Sequence, residues 1–294
     1  MENAIFSRYG GQQTTVGPMR INRMLPNRRH QAIGPFVFLD YLYPTQHAPK
    51  KPEGPNGQFA HPHRGIATFT YLFSGSLEHY DSAGHHGIVE GGGAQWMKAG
   101  TGVMHDENPS PRFQAEGGLL HALQFWVNLP AKNKAEAPDY RALQAAEVPE
   151  IELPDGAGVL RVVIGSYEGR TSPVPTYSQQ FIYHLRLRAG ATATLALAPG
   201  LECAAFFPTG RVAVQGTTYG LSELAMLESE AAALPFVNES DTELDIIVFG
   251  GEYYAEPIIA QGPFVMNSRL EIAEAYADFH KGKYGKITYE PLVA

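Results

Sequence analysis

From residue 33 to about 128, and again after residue 150, this chain breaks into short β-prone runs separated by Gly, Pro, Asn or Asp. Runs such as Gly34-Pro-Phe-Val-Phe-Leu-Asp40 and Thr68-Phe-Thr-Tyr-Leu-Phe73 carry the aromatic and β-branched residues that suit a pleated, half-buried surface. The 31 Gly and 22 Pro are spread along the chain, which predicts many turns between short strands and not a low-complexity tail. Val159-Leu-Arg-Val-Val-Ile164, Phe181-Ile-Tyr-His-Leu-Arg-Leu187 and Leu244-Asp-Ile-Ile-Val-Phe249 extend the pattern, so an all-β chain is expected.

A chain of 294 residues exceeds one ordinary small domain, and two medium domains are expected. Between Pro130 and Pro149 the composition turns to Ala, Lys, Glu and Gln, which reads as a linker with a short helix near 140–146. The expected division is a first domain at 1–132, a linker at 133–149 and a second domain at 150–294. The second ends in a helix near 268–281. There Ser268 and Glu271 have capping-box spacing, Ile272, Tyr276 and Phe279 form an apolar stripe, and Gly282 supplies a stop. The stripe is expected to pack on the second domain. Tyr71-Leu-Phe-Ser-Gly75 echoes Phe206-Phe-Pro-Thr-Gly210 at a shift of 210 − 75 = 135 residues, as a duplicated barrel would.

Charge and cysteine usage exclude several classes. A net charge of −8 opposes a polyphosphate, so no direct nucleic-acid contact is expected. The basic run Arg20, Arg23, Arg28, Arg29, His30 reads as a solvated loop. The single Cys203 lies among Ala204, Ala205, Phe206 and Phe207 and reads as a buried, inert thiol. No basic-then-apolar leader and no span of about 18 apolar residues is present, so no membrane association and a cytoplasmic location are expected.

The chemistry concentrates in His61-Pro-His63-Arg-Gly and in Met104-His105-Asp-Glu107, which begins its ligand pair 42 residues after His63. Each segment is an i, i+2 pair, and alternate side chains of a strand share a face. Two such strands side by side would converge four donors, and Pro62 biases His61 to an extended conformation. Three imidazoles and a carboxylate suit iron, manganese, nickel, copper or zinc, and suit magnesium or calcium poorly. Four protein ligands on a six-coordinate ion leave two positions for water, dioxygen or a bidentate substrate. Among the other histidines, His79, His85 and His86 read as solvated residues around a turn. His184 reads as a satisfied strand residue, and His121 as core-lining or as a partner of the ligands. Trp96 and Met97 read as packing near the site.

Phe59-Ala-His-Pro-His-Arg-Gly65, Glu78-His-Tyr-Asp-Ser-Ala-Gly84, Gln95-Trp-Met-Lys-Ala-Gly-Thr-Gly102 and His105-Asp-Glu107 resemble the N-terminal cupin of the pirin family in order and spacing. Gly34-Pro-Phe-Val-Phe-Leu-Asp40, Phe125-Trp-Val-Asn-Leu-Pro130 and Gly262-Pro-Phe-Val-Met-Asn267 are also similar to pirin segments, so the resemblance spans nearly the whole chain. It implies a bicupin: two antiparallel, jelly-roll-like cupin β-barrels in tandem with a C-terminal helix. It further implies iron, as Fe2+ or another divalent transition metal, on His61, His63, His105 and Glu107. One departure stands out. Many pirins carry a glutamate four residues after the second motif histidine, where this chain has Ala67.

The family is associated with quercetin 2,3-dioxygenase activity and with binding protein partners, including transcription-factor regulation. The resemblance therefore implies an oxidoreductase whose small aromatic substrate meets an open iron site, with Glu107 as ligand and proton acceptor. The alternative it implies is a metal-containing regulatory module that binds a protein partner. Applying the 135-residue shift to the four ligand positions gives Ala196, Ala198, Ser240 and Thr242, none of them a replacement ligand, so a metal-free second barrel is expected.

Overall fold

The computed structural model of the chain describes residues 7–16, 19–227 and 233–290. Strands dominate, as the punctuated runs predict. Among the described residues, α-helix is confined to Pro111–Glu116 and Arg269–His280. The internal packing groups Leu42–Ala145 with Ala255–Ala294, and Met1–Tyr41 with Ala146–Tyr254. The sequence suggested contiguous domains at 1–132 and 150–294; in the packing the segment that carries the terminal helix groups with the first barrel.

In the first of these units, one sheet runs in the order His61–His63, Val103–Pro109, Ser76–Asp81, His86–Glu90. A second places Asp139–Leu143, Ala94–Lys98, Ile66–Ser74 and Gly118–Asn128 side by side. Asp139–Leu143 falls within the expected linker, where the short helix was anticipated. It pairs antiparallel with Ala94–Lys98, setting Tyr140 opposite Met97. Tertiary pairing at a sheet edge overrides the weak helical preference of an Ala-rich stretch.

The other unit repeats the plan. Thr192–Ala196, Ala233–Asn238, Val212–Val214 and Thr217–Tyr219 form its small sheet. Glu223–Leu227, Glu202–Phe207, Leu244–Gly251, Gln180–Leu187 and Gly158–Ile164 form the core of its larger one. Ser7–Tyr9 joins this larger sheet beside Glu223–Leu227. The interior is a continuous apolar cluster that includes Leu195, Leu234, Phe236, Val214 and Cys203. Burial pushes the Cys203 thiol up to about 12, which leaves it inert. His184 is buried with its Nε2 2.8 Å from Asp245 Oδ1, a satisfied strand residue.

Arg20 and Arg23 lie on the Met19–Leu25 strand, not in a solvated loop. Arg23 grips Asp40 through two hydrogen bonds of 2.9 and 2.8 Å, and its guanidinium stacks 4.4 Å from the Phe38 ring centroid. Arg28 and Arg29 are exposed in the turn that follows. No helix among the described residues is long and apolar enough to cross a membrane.

The Arg269–His280 helix begins as its capping spacing predicts: Ser268 Oγ accepts from the Glu271 backbone N–H at 3.2 Å. Gly282 ends it with φ +72°, a left-handed conformation that favours glycine. Its buried residues Ile272 and Ala275 pack with Phe264, Met266, Tyr284 and Met104. The stripe therefore covers the unit that carries the candidate ligands, a correction of the expected packing on the second domain. Arg64, the residue after His63, pairs with Asp278 of this helix at 2.9 Å.

Lys134 fastens the same region from inside. Its buried Nζ donates to Gly65 O at 2.6 Å, Asn128 Oδ1 at 2.5 Å and Val265 O at 2.8 Å. Burial pushes its ammonium down to about 7, against the opposing pull of Glu256 and Glu271. The unfolded chain then holds that proton more tightly, so this residue's contribution to stability rises as pH climbs from about 7 toward the ordinary lysine range. Lys134→Met is expected to cost at least about 2 kcal/mol in urea unfolding, because it orphans buried acceptors. It should also flatten the alkaline rise relative to the parent chain. A loss below about 0.5 kcal/mol with an unchanged pH slope would contradict this account.

Candidate metal centre

His61–His63 runs antiparallel to Val103–Pro109, with His61 opposite His105 and His63 opposite Val103. On its other side Val103–Pro109 pairs with Ser76–Asp81, which sets Glu107 opposite His79 and His105 opposite Asp81. Directly opposed and i, i+2 residues share a face, so three strands present five donor side chains and Asp81 to one side. The ring centroids of His61 and His105 lie 4.3 Å apart, those of His61 and His63 4.8 Å, and those of His63 and His105 5.0 Å. One donor atom from each of these three imidazoles lies within 4.8 Å of the others. Glu107 meets the same criterion with His105 and His79, so His105 is common to both groups.

Burial controls the charge of this cluster. It pushes His63 down to about 3, with repulsion from His61 adding to the effect and the Pro263 carbonyl opposing it. His105, also fully buried, is held well below the ordinary histidine range by burial and by His61, His63 and His79. Both rings are therefore neutral near pH 7, which metal ligation by imidazole requires. A carbonyl only accepts, so His61 Nδ1–H donates to Phe59 O at 2.8 Å and His63 Nδ1–H donates to Pro263 O at 3.0 Å. Each Nε2 is left with its lone pair turned to the cluster, the orientation that partner carbonyls fix in metal-binding histidines. The Nε2 atoms of His61 and His105 are 3.0 Å apart, and the buried Nδ1 of His105 has no partner. Inward lone pairs on neutral, buried rings fit a transition-metal cation. His61 is exposed, so the cluster opens to solvent along that edge.

Glu107 is held by neutral donors. Gln95 donates to its Oε1 in a short contact, Thr70 Oγ1 lies 3.3 Å from the same oxygen, and Gln124 Nε2 donates to Oε2 at 3.1 Å. Tyr140 OH in turn donates to Gln95 Oε1 at 3.2 Å. The Tyr140 ring lies flat on His79, 4.2 Å between centroids and 6° between planes. His79 is buried on a strand, not solvated at a turn as its sequence context suggests, and its Nε2 donates to Asp81 Oδ2 at 3.2 Å. Asp81 also receives the His85 ring at 2.8 Å. Burial raises Asp81, but hydrogen bonds from His79 and His85 outweigh it and hold the carboxyl below its usual range.

The sequence reading thus missed His79, Gln95, Gln124 and Tyr140. His79-Tyr-Asp81 carried an i, i+2 signal of its own; the two glutamines became legible only once strand register set both opposite Thr70. His121 lies within the Gly118–Asn128 strand and stacks on Phe73 at 4.4 Å, a core-lining role. Trp96 is buried opposite Phe69, on the sheet face away from Thr70, and Met97 packs with Ala99 and Val103. Trp126, by contrast, sets its ring edge against His63 at 4.9 Å. Ala67 differs in parity from Thr70 on the same strand, so it points away from Glu107. A glutamate there would not join the donors.

Strand register identifies what occupies these positions in the other barrel. The hairpin glycines Gly75 and Gly210 align Leu77 with Val212 and His79 with Val214. Val214 lies opposite Phe236 as His79 lies opposite Glu107, and Leu195 opposite Leu234 as His61 lies opposite His105. The candidate ligand positions therefore correspond to Leu195, Leu197, Leu234 and Phe236, all buried. The expected Ala196, Ala198, Ser240 and Thr242 are corrected, because the first paired segment shifts by 195 − 61 = 134 residues and the second by 236 − 107 = 129, not by 135. The supports change in concert: Thr70, Gln95 and Gln124 correspond to Ala205, Ala225 and Val248.

Comparison with known proteins agrees with this architecture. Residues 18–127 match the sequence profile of Pirin, and residues 182–285 match that of the Pirin C-terminal cupin domain. A Pseudomonas aeruginosa protein provisionally named a quercetin 2,3-dioxygenase is 39% identical over 258 residues, covering 88% of this chain and 89% of its own. A pirin-like protein of Caulobacter vibrioides is 31% identical, covering 93% of this chain and 96% of its own. The crystal structure of a quercetin 2,3-dioxygenase from Acinetobacter baumannii superposes with a TM-score of 0.90 at 32% identity, covering 98% of this chain and all of the other.

Phe236→Glu places a carboxylate where the second barrel offers no Thr or Gln donor. It is expected to cost more than about 3 kcal/mol in chemical denaturation, because the charge is buried and unpaired. A loss under about 1 kcal/mol would show that this position is not equivalent to Glu107.

Proposed function

Because this chain belongs to the pirin family, we propose that it is a metal-dependent dioxygenase acting on a flavonol such as quercetin, with Fe2+ held by His61, His63, His105 and Glu107. The observation that carries this reading is the pairing of buried, neutral imidazoles with a carboxylate clamped by amides, at a cluster open along His61. The relatives named as quercetin 2,3-dioxygenases supply the substrate class. A bound divalent transition metal supplies Lewis acidity toward a substrate oxygen and redox chemistry toward dioxygen.

The protein's share is positioning and proton handling. The Phe59 and Pro263 carbonyls fix the tautomers of His61 and His63, so neither ring needs to turn for its Nε2 to serve as a donor. Gln95, Gln124 and Thr70 keep the Glu107 carboxylate in one orientation while leaving lone-pair capacity on its oxygens. Glu107 can therefore accept the proton of an incoming enolic hydroxyl and remain held by three neutral donors as its charge changes. Trp126 against His63, and Met97 and Val103 nearby, give the interior an apolar wall that strengthens each polar contact inside.

Iron-reconstituted protein given quercetin is expected to consume one equivalent of oxygen per flavonol lost, followed by an oxygen electrode and by the flavonol absorption band. His105→Ala should abolish stoichiometric metal uptake, and Glu107→Gln should lower turnover by about 100-fold or more. Gln124→Leu should weaken metal binding by about 10- to 100-fold in competition with a chelator. Fully loaded protein that leaves oxygen and every flavonol untouched would overturn the enzymatic reading in favour of a partner-binding module.

A further inference from the structure

In the second barrel, a cavity of about 420 Å³ opens over Leu197, the residue that register places where His63 stands in the first. We propose that this cavity is a metal-free binding site for a neutral, planar phenolic molecule. The volume lies within the range of pockets that take drug-sized ligands.

The walls are aromatic and pre-formed. Tyr167, Phe181 and Tyr183 line the cavity, with Phe181 stacked on Tyr183 at 4.7 Å and Tyr167 set edge-on to Tyr183 at 5.2 Å. Both tyrosine hydroxyls are already tied. Tyr183 OH donates to Ser166 O at 2.6 Å, and Tyr167 OH accepts from the Ala196 backbone N–H at 3.1 Å. The rings are thus fixed in place before a ligand arrives, which lowers the ordering cost of stacking one against them.

The lining also selects by charge. Glu168 is the one carboxylate in it, and neither lysine nor arginine contributes, so a phosphate, sulfate or carboxylate would meet no counter-charge. Thr176, Ser178 and Gln179 add polar groups, and the Glu168 carboxylate accepts from a phenolic hydroxyl. The lining holds no histidine or cysteine, and Leu197 stands where register places His63 in the first barrel. The duplicated barrel has in this reading kept a small-molecule mouth and lost the means of doing chemistry there.

This proposal stands apart from the dioxygenase reading, and its test keeps the two separate. Metal-stripped protein carrying His61→Ala and His105→Ala, which silences the first barrel, is dialysed to equilibrium against quercetin and, in parallel, against benzoate. One saturable equivalent of quercetin per chain and no saturable benzoate are expected. Thr176→Trp, which fills the cavity from an exposed position, should weaken quercetin binding by about tenfold or more with an unchanged circular dichroism spectrum, and Tyr167→Ala should also weaken it. Absence of saturable quercetin binding would overturn the proposal. So would binding that both substitutions leave within about twofold, or benzoate binding as tight as quercetin.

Discussion

The arrangement that everything else serves is the antiparallel pairing of His61–His63 with Val103–Pro109. It turns two i, i+2 motifs, far apart in sequence, into one inward-facing set of donors. Once His63 and His105 are buried together neither ring holds a second proton near neutrality, and neutral imidazoles of this kind suit a transition-metal cation. Their surroundings bear the consequences. Carbonyls fix the rings of His61 and His63, amides fix Glu107, Lys134 ties the turn after His63 to the Phe264–Met266 strand next to Pro263, and Arg64 ties that turn to the terminal helix.

The second barrel shows what this interior becomes without those imidazoles. Leu195, Leu197, Leu234, Phe236, Ala205, Ala225 and Val248 replace the candidate ligands and their supports together, and the result is an apolar core. Removing only the ligands would have left Thr and Gln groups buried without acceptors, at a cost for each. The joint replacement therefore argues that Thr70, Gln95 and Gln124 are present because Glu107 is, and not for general packing.

Much of this was legible in the sequence, because it depends on local pattern. Strand content, the capped terminal helix with its glycine stop, and the two paired motifs follow from period and spacing alone. What was hidden depends on register and on long-range pairing. Tyr140 sits in an Ala-rich stretch that becomes a strand only through its neighbour, and His79 looked like a turn residue because the buried strand that contains it was invisible locally. The second barrel's true equivalents were missed for the same reason: changes of offset of one residue before the hairpin and six after it cannot be seen without the pairing. The pairing of Ser7–Tyr9 with Glu223–Leu227 and the docking of the terminal helix beside Met104 are likewise contacts that no local pattern encodes.

His105 belongs to two donor groups, so the position of the ion decides whether the account holds. Anomalous diffraction at the iron edge, from crystals of the iron-loaded protein, measures that position directly. The account predicts a single peak within coordination distance, about 2.1 Å, of one nitrogen from each of His61, His63 and His105 and of a Glu107 oxygen. A peak held instead by His79, His105 and Glu107, with His61 and His63 outside its reach, would contradict it.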